Sequence, residues 1–309
     1  MDCSTIIVSY NTFDLTVEAI RSAAKSAEEL DHEIIVVDNA SPDRSGERLR
    51  GLFETTPTPV KVIINDDNPG FSAANNQGAA EASGRVLFFL NPDTIVHGAA
   101  IPVLCSFLDQ HPDAGAVGPL VLNADGTIQP STFDLLTARG ILRQHLPLGS
   151  FILGRDRRID RVPDRTSPVD IVKGCALALR RDTYDKIGGW DESYFMYGEE
   201  TEMCYRLLHE GFVNYFAREA SITHLGGAAS MEHYAEQQIV HQRSATQFLR
   251  RHHSSWMVKL HRWSGLAGFA IRIPFFAILK RISPGKSDEY QLRGDAARRL
   301  TQWFIREYE

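Results

Sequence analysis

The stretch "VLFFLNPDTIV", Val86 to Val96, decides how this chain is read. Its five leading apolar residues form the pattern of a buried strand. The run then stops at Asn91-Pro92-Asp93 before apolar character resumes. Asn-Pro and Pro-Asp are ordinary turn formers, so a plain turn is one reading. The other is that the strand exists to hold the Asp93 carboxylate still.

Working outward, "CSTIIVSY", "HEIIVVDN" and "VKVIIND" repeat the β-branched strand pattern upstream. Helices of about three turns are expected between them, roughly over 15–27, 44–53 and 72–82. Alternating strands and helices imply a mainly parallel sheet covered on both faces, with ligands bound at the carboxyl ends of the strands. Those ends are Ser9-Tyr10-Asn11, Asp38-Asn39, the 65–68 segment and Asn91-Pro92-Asp93. All four are polar, which points to a site. "AGAVGPLVL" reads as a further strand, and "VDIVKGCALALRR" as a strand containing Gly174. "YGEETEMCYRLLHEGF" reads as a short helix, and "VNYFA" and "ASITHL" as two short strands. The interval 132–168 lacks periodicity and is expected to be a mobile functional loop. From about Met231 the chain reads as helical, giving an α/β domain over 1–230 and a helical region over 231–309.

With 43% hydrophobic and 23% charged residues, the chain is of the globular class, which excludes disorder. Four scattered cysteines without a C-x-x-C pair exclude a zinc ribbon and a disulfide scaffold. The N-terminus runs straight into a strand with no leader pattern, so a cytoplasmic location is expected. The net charge of −6 hides an asymmetry. From Arg243 onward there are 13 Lys and Arg against 5 Asp and Glu; the residues before carry 20 against 34. A basic tail on an acidic body implies an anionic partner.

Several residues could carry chemistry. "NPGFSAANNQGAAEASG" is neither a dinucleotide fingerprint nor a P-loop, which removes the main support for dehydrogenase and NTP-binding readings. Ser72 suits an N-cap, while Asn75 and Asn76 are poor helix formers whose amides suit ligand contact. Asp93 and His224 are candidate ligands for a hard divalent cation, although a lone His is more often structural. Glu199, Glu200 and Glu202 open a helix, where acids offset the macrodipole; a general base also needs a carboxylate held at such a rigid position. "GGWDESYFMYG" supplies Trp190, Tyr194, Phe195 and Tyr197, suited to lining a sugar or a lipid-linked acceptor.

Together, "TIIVSYN", "VVDNAS", "NPGFSAANNQG", "FLNPDT", "VKGCALALRR", "GWDESYFMYGEETEMCYRLLHEGF" and "THLGGAAS" resemble, in order, the inverting glycosyltransferases of family 2, which have the GT-A fold. The Asn-Pro-Asp form is similar to bacterial rhamnosyltransferase-like and galactofuranosyltransferase-like members. The resemblance implies an enzyme using a nucleoside-diphosphate sugar, dTDP-rhamnose-like or a UDP-sugar, with Mg²⁺ or Mn²⁺, and a glycan or lipid-linked acceptor. It implies that Ser9, Tyr10, Asn11 and Asp38 hold the nucleotide, Asp38 contacting the pyrimidine. Gly70, Phe71 and Asn75 would lie along it, and Trp190 beside the donor sugar. Asp93 and His224 would hold the metal, with Glu200 as catalytic base and Glu199 its partner. Asn91 replaces the first aspartate of the usual Asp-x-Asp, and Glu200 and Glu202 stand where Asp is commoner. A non-catalytic sugar-nucleotide-binding module is the alternative.

"WMVKLHRWSGLAGFAIRIPFFAILKRI" near the C-terminus has an apolar core interrupted by Arg272 and Pro274, too short for a spanning helix. Its basic flanks and Trp residues suit an interfacial helix on the inner face of a membrane. Packing on the catalytic domain or on a second copy in a homodimer is the other reading. Nucleic acid is not expected, since no recognition motif accompanies the charge.

Overall fold

Val86–Leu90 forms a strand whose side chains alternate between two apolar clusters. Phe88 and Leu90 join Ile7 in one, Leu87 and Phe89 join Ile6 in the other. A strand covered on both faces needs no polar alternation, hence the unbroken apolar run.

The computed structural model describes residues 1–146, 162–226 and 234–307. The strands are β1 (Cys3–Ser9), β2 (His32–Asp38), β3 (Val60–Ile64), β4 (Val86–Leu90), β5 (Thr94–His97), β6 (Ala114–Leu122), β7 (Ile128–Gln129), β8 (Thr132–Phe133), β9 (Ser167–Val169), β10 (Ile171–Val172), β11 (Ala176–Arg180) and β12 (Val213–His224). The helices are α1 (Phe13–Ser26), α2 (Ser45–Leu52), α3 (Phe71–Glu81), α4 (Ala100–Gln110), α5 (Ala138–His145), α6 (Arg181–Ile187), α7 (Glu199–His209), α8 (Tyr234–His252), α9 (Ser255–Ile282) and α10 (Ser287–Arg306).

The main sheet has the order β3-β2-β1-β4-β11-β6-β12-β5, with β7 on β6 and β9 on β12. β1 pairs in parallel with β2 and β4, β2 with β3, and β6 with β12; β11 and β5 run antiparallel to their neighbours. Ile101, Leu104 and Leu108 of α4 and Ile20 of α1 fill one cluster; Met203 and Leu207 of α7 and Ala79 of α3 fill the other. Helices therefore cover both faces of a mostly parallel sheet, as expected.

Local expectations change in three places. "VDIVKGCALALRR" is three short strands, β9 to β11, because the chain turns at Gly174, where a Cβ would come 3.3 Å from Cβ of Glu200. The two short strands expected after α7 are one, β12, whose register shifts between Ala217 and Ser221. In the interval 132–168, β8, α5 and β9 are formed, and 147–161 of the expected mobile loop lie outside the described residues.

The chain divides into two units, Met1–Leu135 with Arg158–Gly226, and Leu136–Arg157 with Gly227–Glu309. The second therefore draws on a segment before residue 168 as well as the C-terminal helices. Within it, Ile141, Leu249 and Met257 form one apolar cluster and Phe269, Leu300 and Phe304 another. Gly268 lets α5 approach α9: a Cβ there would fall 2.0 Å from the His145 carbonyl oxygen.

Candidate active site

The pairing of β12 with β5 sets the geometry. His224 ends β12 opposite Thr94, and the Leu225 N–H donates to the Asp93 carbonyl at 2.9 Å. His224 Nε2 consequently lies 3.4 Å from Asp93 Oδ1. On the other side of the ring, Nδ1 is 2.8 Å from Gln129 Oε1. The Gln129 amide has a defined orientation, because its Oε1 also accepts from the Lys173 ammonium and its Nε2 donates to Asn123 Oδ1 at 2.8 Å. An amide oxygen only accepts, so in the neutral imidazole Nδ1 carries the proton and the Nε2 lone pair faces Asp93.

This pair fits a hard divalent cation. Two ligand atoms held about 2.1 Å from one octahedral ion lie about 3 Å apart, close to the separation seen. Asn91 Oδ1, two residues before Asp93, is a buried acceptor without a hydrogen-bond partner. Among the described residues there is no group of three or more His, Cys, Asp or Glu suited to a metal. A cation held here would thus take its remaining ligands from substrate oxygens or water.

Glu200 reaches the same neighbourhood from the first turn of α7. A Cβ on Gly174 would lie 3.3 Å from Glu200 Cβ, and the next residue's carbonyl, Cys175, accepts from the Asn91 N–H at 2.9 Å. Glu200 and the strand end that carries Asp93 therefore meet at the Gly174–Cys175 turn, and burial pushes the Cys175 thiol up to about 12. Burial also raises the Glu200 carboxyl above the usual carboxylate range, opposed by N–H donors at the helix start and by Lys173. One of those donors is the Gly198 N–H, 3.2 Å from Oε2. Glu199 points inward, and burial together with the neighbouring Glu200 charge holds its carboxyl well above that range. Glu202 is ion-paired to Arg206 at 2.7 Å, and Arg206 also donates to the Gly189 carbonyl. That is a structural role.

At the ends of β1 to β3, the expected nucleotide-binding residues separate into two groups. Tyr10 is half exposed, and Asn11 takes a left-handed backbone (φ 55°) while its N–H donates to Ser41 Oγ at 2.8 Å. Asp38 is only 1% exposed, and its two oxygens accept from the Ser41 N–H and hydroxyl. It holds the turn at 39–41 in place of presenting a carboxylate to solvent. Ser9 is also buried, its hydroxyl within 3.0 Å of Thr16 Oγ1.

On α3, Asn75 is buried and donates to the Phe71 carbonyl at 3.0 Å, one turn back. That bond serves the helix. Asn76 ties α3 to the aromatic loop instead, donating to the Trp190 carbonyl and accepting from the Trp190 N–H. Trp190 is 2% exposed, with its ring edge-on to Phe71 and Phe89 at 5.8 and 5.2 Å. It is a core residue beneath the loop rather than a surface beside a sugar. Gly70 has φ 94°, and a Cβ there would fall 2.8 Å from the Phe195 carbonyl oxygen. The Phe71 N–H donates to that same oxygen.

Two residues escaped the sequence reading: Lys173 sits within the quoted "VKGC", and Gln129 in a two-residue strand without any pattern. Asn39 connects the strand ends, accepting from Asn65 and donating to Asn68 Oδ1 and the Gly70 carbonyl.

A family model described as glycosyl transferase family 2 matches residues 4–186. The N-acetylglucosaminyl-diphospho-decaprenol L-rhamnosyltransferase of Mycobacterium tuberculosis is 27% identical over 255 residues, covering 77% of this chain and 81% of that protein. The low-salt glycan biosynthesis hexosyltransferase Agl10 of Haloferax volcanii is 27% identical over 213 residues, covering 68% of this chain and 62% of that one. Among solved structures, the mannosyltransferase PcManGT from Pyrobaculum calidifontis, in complex with GDP-Man and Mn²⁺, superposes with a TM-score of 0.60 at 14% identity, covering 99% of this chain and 86% of that one. GalNAc-T7 with UDP, GalNAc and Mn²⁺ gives a TM-score of 0.56 at 18% identity, covering 85% of this chain and 54% of that one. These likenesses show the fold, GT-A.

Proposed function

The chain belongs to glycosyl transferase family 2, and from that premise we propose that it moves a sugar from a nucleoside diphosphate to an acceptor hydroxyl with inversion at the anomeric carbon. The observation that supports this reading is that the Asp93–His224 pair, 3.4 Å apart, follows a strand end bonded to Cys175, beside the Gly174 backbone that Glu200 packs against. Asp93 and His224 would hold Mg²⁺ or Mn²⁺ against the donor diphosphate. When bound, such an ion supplies positive charge that stabilises the departing nucleoside diphosphate.

The chain's own residues account for the rest. Gln129 Oε1, an acceptor, would keep a proton on His224 Nδ1 and leave Nε2 free to coordinate. Glu200, its carboxyl raised by burial, would take the proton from the acceptor oxygen as it attacks opposite the leaving group. A single displacement of this kind inverts configuration. Glu199, its carboxyl raised by burial and by the Glu200 charge, would sit at the start of α7 as the partner of Glu200. Tyr10 and Asn11 would face the nucleotide, with Asp38 shaping their turn through Ser41, and Gly70-Phe71 would line its path.

A dTDP-rhamnose-like or UDP-sugar donor and a glycan or lipid-linked acceptor are the reading favoured by the rhamnosyltransferase relative. With a lipid-linked acceptor, reaction would occur at the inner face of a membrane, and the basic C-terminal helices would provide the contact. A panel of sugar nucleotides tested for thermal stabilisation with Mn²⁺ or Mg²⁺, followed by transfer assays with the stabilising donor, tests the proposal. Stabilisation by a donor together with sugar transfer supports it; stabilisation without transfer or donor hydrolysis would reduce the chain to a binding module.

A further inference from the structure

Helix α9 carries two features that transfer chemistry leaves unused. Along its second half, Ile271, Phe275, Ile278 and Ile282 are all exposed, and their spacing of four, three and four residues puts them on one helix face. Trp256 and Trp263, 56% and 59% exposed, stand two turns apart near its start. The second feature is a cleft of about 550 Å³ whose lining includes Arg250, His253, Ser255, Lys259, Arg262 and Trp263. The Arg262 guanidinium lies 5.1 Å over the Trp263 ring, and Arg250 is paired with Glu307 at 3.2 Å.

Charge identifies what these features meet. α9 contains Lys259, Arg262, Arg272, Lys280 and Arg281 and no Asp or Glu. The stripe itself is uncharged, but bringing two copies of a helix with five cations and no acid side by side would oppose association through their net charge. An anionic surface has the complementary charge. Apolar side chains at the acyl boundary, long cations reaching lipid phosphates and Trp at headgroup level are the pattern of an interfacial helix. Among the described residues, no helix is long and apolar enough to cross a membrane, so the contact would lie along the surface.

We infer that α9 lies in the interface of an anionic membrane, its Ile271–Ile282 stripe at the acyl boundary and the Arg250–Lys259–Arg262 cleft holding a lipid phosphate. The inference rests on the membrane contact proposed above and adds the site that makes it.

The test is flotation of the full chain with vesicles of phosphatidylcholine alone and of phosphatidylcholine with phosphatidylglycerol, at low and high salt. The expected result is salt-sensitive binding to the anionic vesicles. Lys259→Gln with Arg262→Gln should weaken partitioning on the order of 25-fold, at roughly fivefold per positive charge removed. Ile271→Ser with Ile278→Ser should weaken it more than about tenfold. Circular dichroism of each variant checks that its helices are formed. Absence of flotation, equal binding to both vesicle types, or wild-type flotation by either folded variant overturns the inference. A concentration-dependent dimer abolished by the Ile substitutions would assign the stripe to a second copy and overturn it too. Donor-induced stabilisation is read on the same preparation: a chain that binds a sugar nucleotide but does not float loses this membrane site and keeps the transferase reading.

Discussion

His224 Nε2 stands 3.4 Å from Asp93 Oδ1 although the two are far apart in the chain, because β12 ends beside the start of β5. With Nδ1 bonded to Gln129, Nε2 is the ring nitrogen that faces the carboxylate. A cation between the two ligand atoms would be held by both, and the proposed chemistry uses one there.

Removing the base should separate binding from turnover. Glu200→Gln keeps the size and the hydrogen-bonding capacity of the side chain but cannot accept the acceptor proton. Transfer is expected to fall about 10²–10⁴-fold, with donor affinity retained. Steady-state transfer rates beside donor titration check this, and full turnover by the variant would remove Glu200 from the role.

Gln129 should act through His224. Gln129→Leu removes the acceptor that holds the proton on Nδ1, so Mn²⁺ affinity is expected to weaken about 10–100-fold. Electron paramagnetic resonance of free Mn²⁺ measures that affinity without an activity assay. An unchanged Mn²⁺ affinity would make the Gln129 contact incidental.

Gly70→Ala should destabilise the catalytic unit. Its φ of 94° is unfavourable for alanine, and the new Cβ would meet the Phe195 carbonyl at 2.8 Å. A loss on the order of 3 kcal/mol is expected, seen as a fall in Tm of about 5–10 °C. A Tm equal to that of the parent chain would show that the loop yields freely.

The helical unit should be acid-labile. Burial lowers His145 to about 4 and His261 to about 3, with the His145 ring held neutral between Ser264 Oγ and Gln242 Oε1. In the unfolded chain both take up protons below about 6.5, so stability is fully present above that pH and declines as pH falls towards 4. At pH 5 the loss is on the order of 2 kcal/mol for each. Thermal unfolding at pH 7.5 and pH 5, compared with a His261→Phe variant, checks the sign: the variant should lose less stability on acidification. His32, lowered to about 4 in the other unit, contributes in the same direction in both proteins.

The strands of the first ninety residues were legible because doubly covered strands are continuous apolar runs, and α1 and α2 because they are amphipathic. The position of Asp93 was legible for the same reason: an apolar run ended on a carboxylate. Its proximity to His224 was not, since it depends on an antiparallel pairing between segments far apart in sequence. Asp38, Asn75 and Trp190 show a different limit. Their residue types suit ligand contact, but each side chain turns inward to satisfy a turn, a helix carbonyl or the core. Gln129 left no pattern at all, because a two-residue strand has no periodicity and its role arises only from its hydrogen bonds.

The most direct measurement of the central claim is calorimetric titration of the donor sugar nucleotide into the parent chain and Asp93→Asn, each with Mn²⁺ and with EDTA. The account predicts tight binding only for the parent chain with Mn²⁺, and weak, metal-independent binding for Asp93→Asn. Equal donor affinity in all four titrations would contradict it.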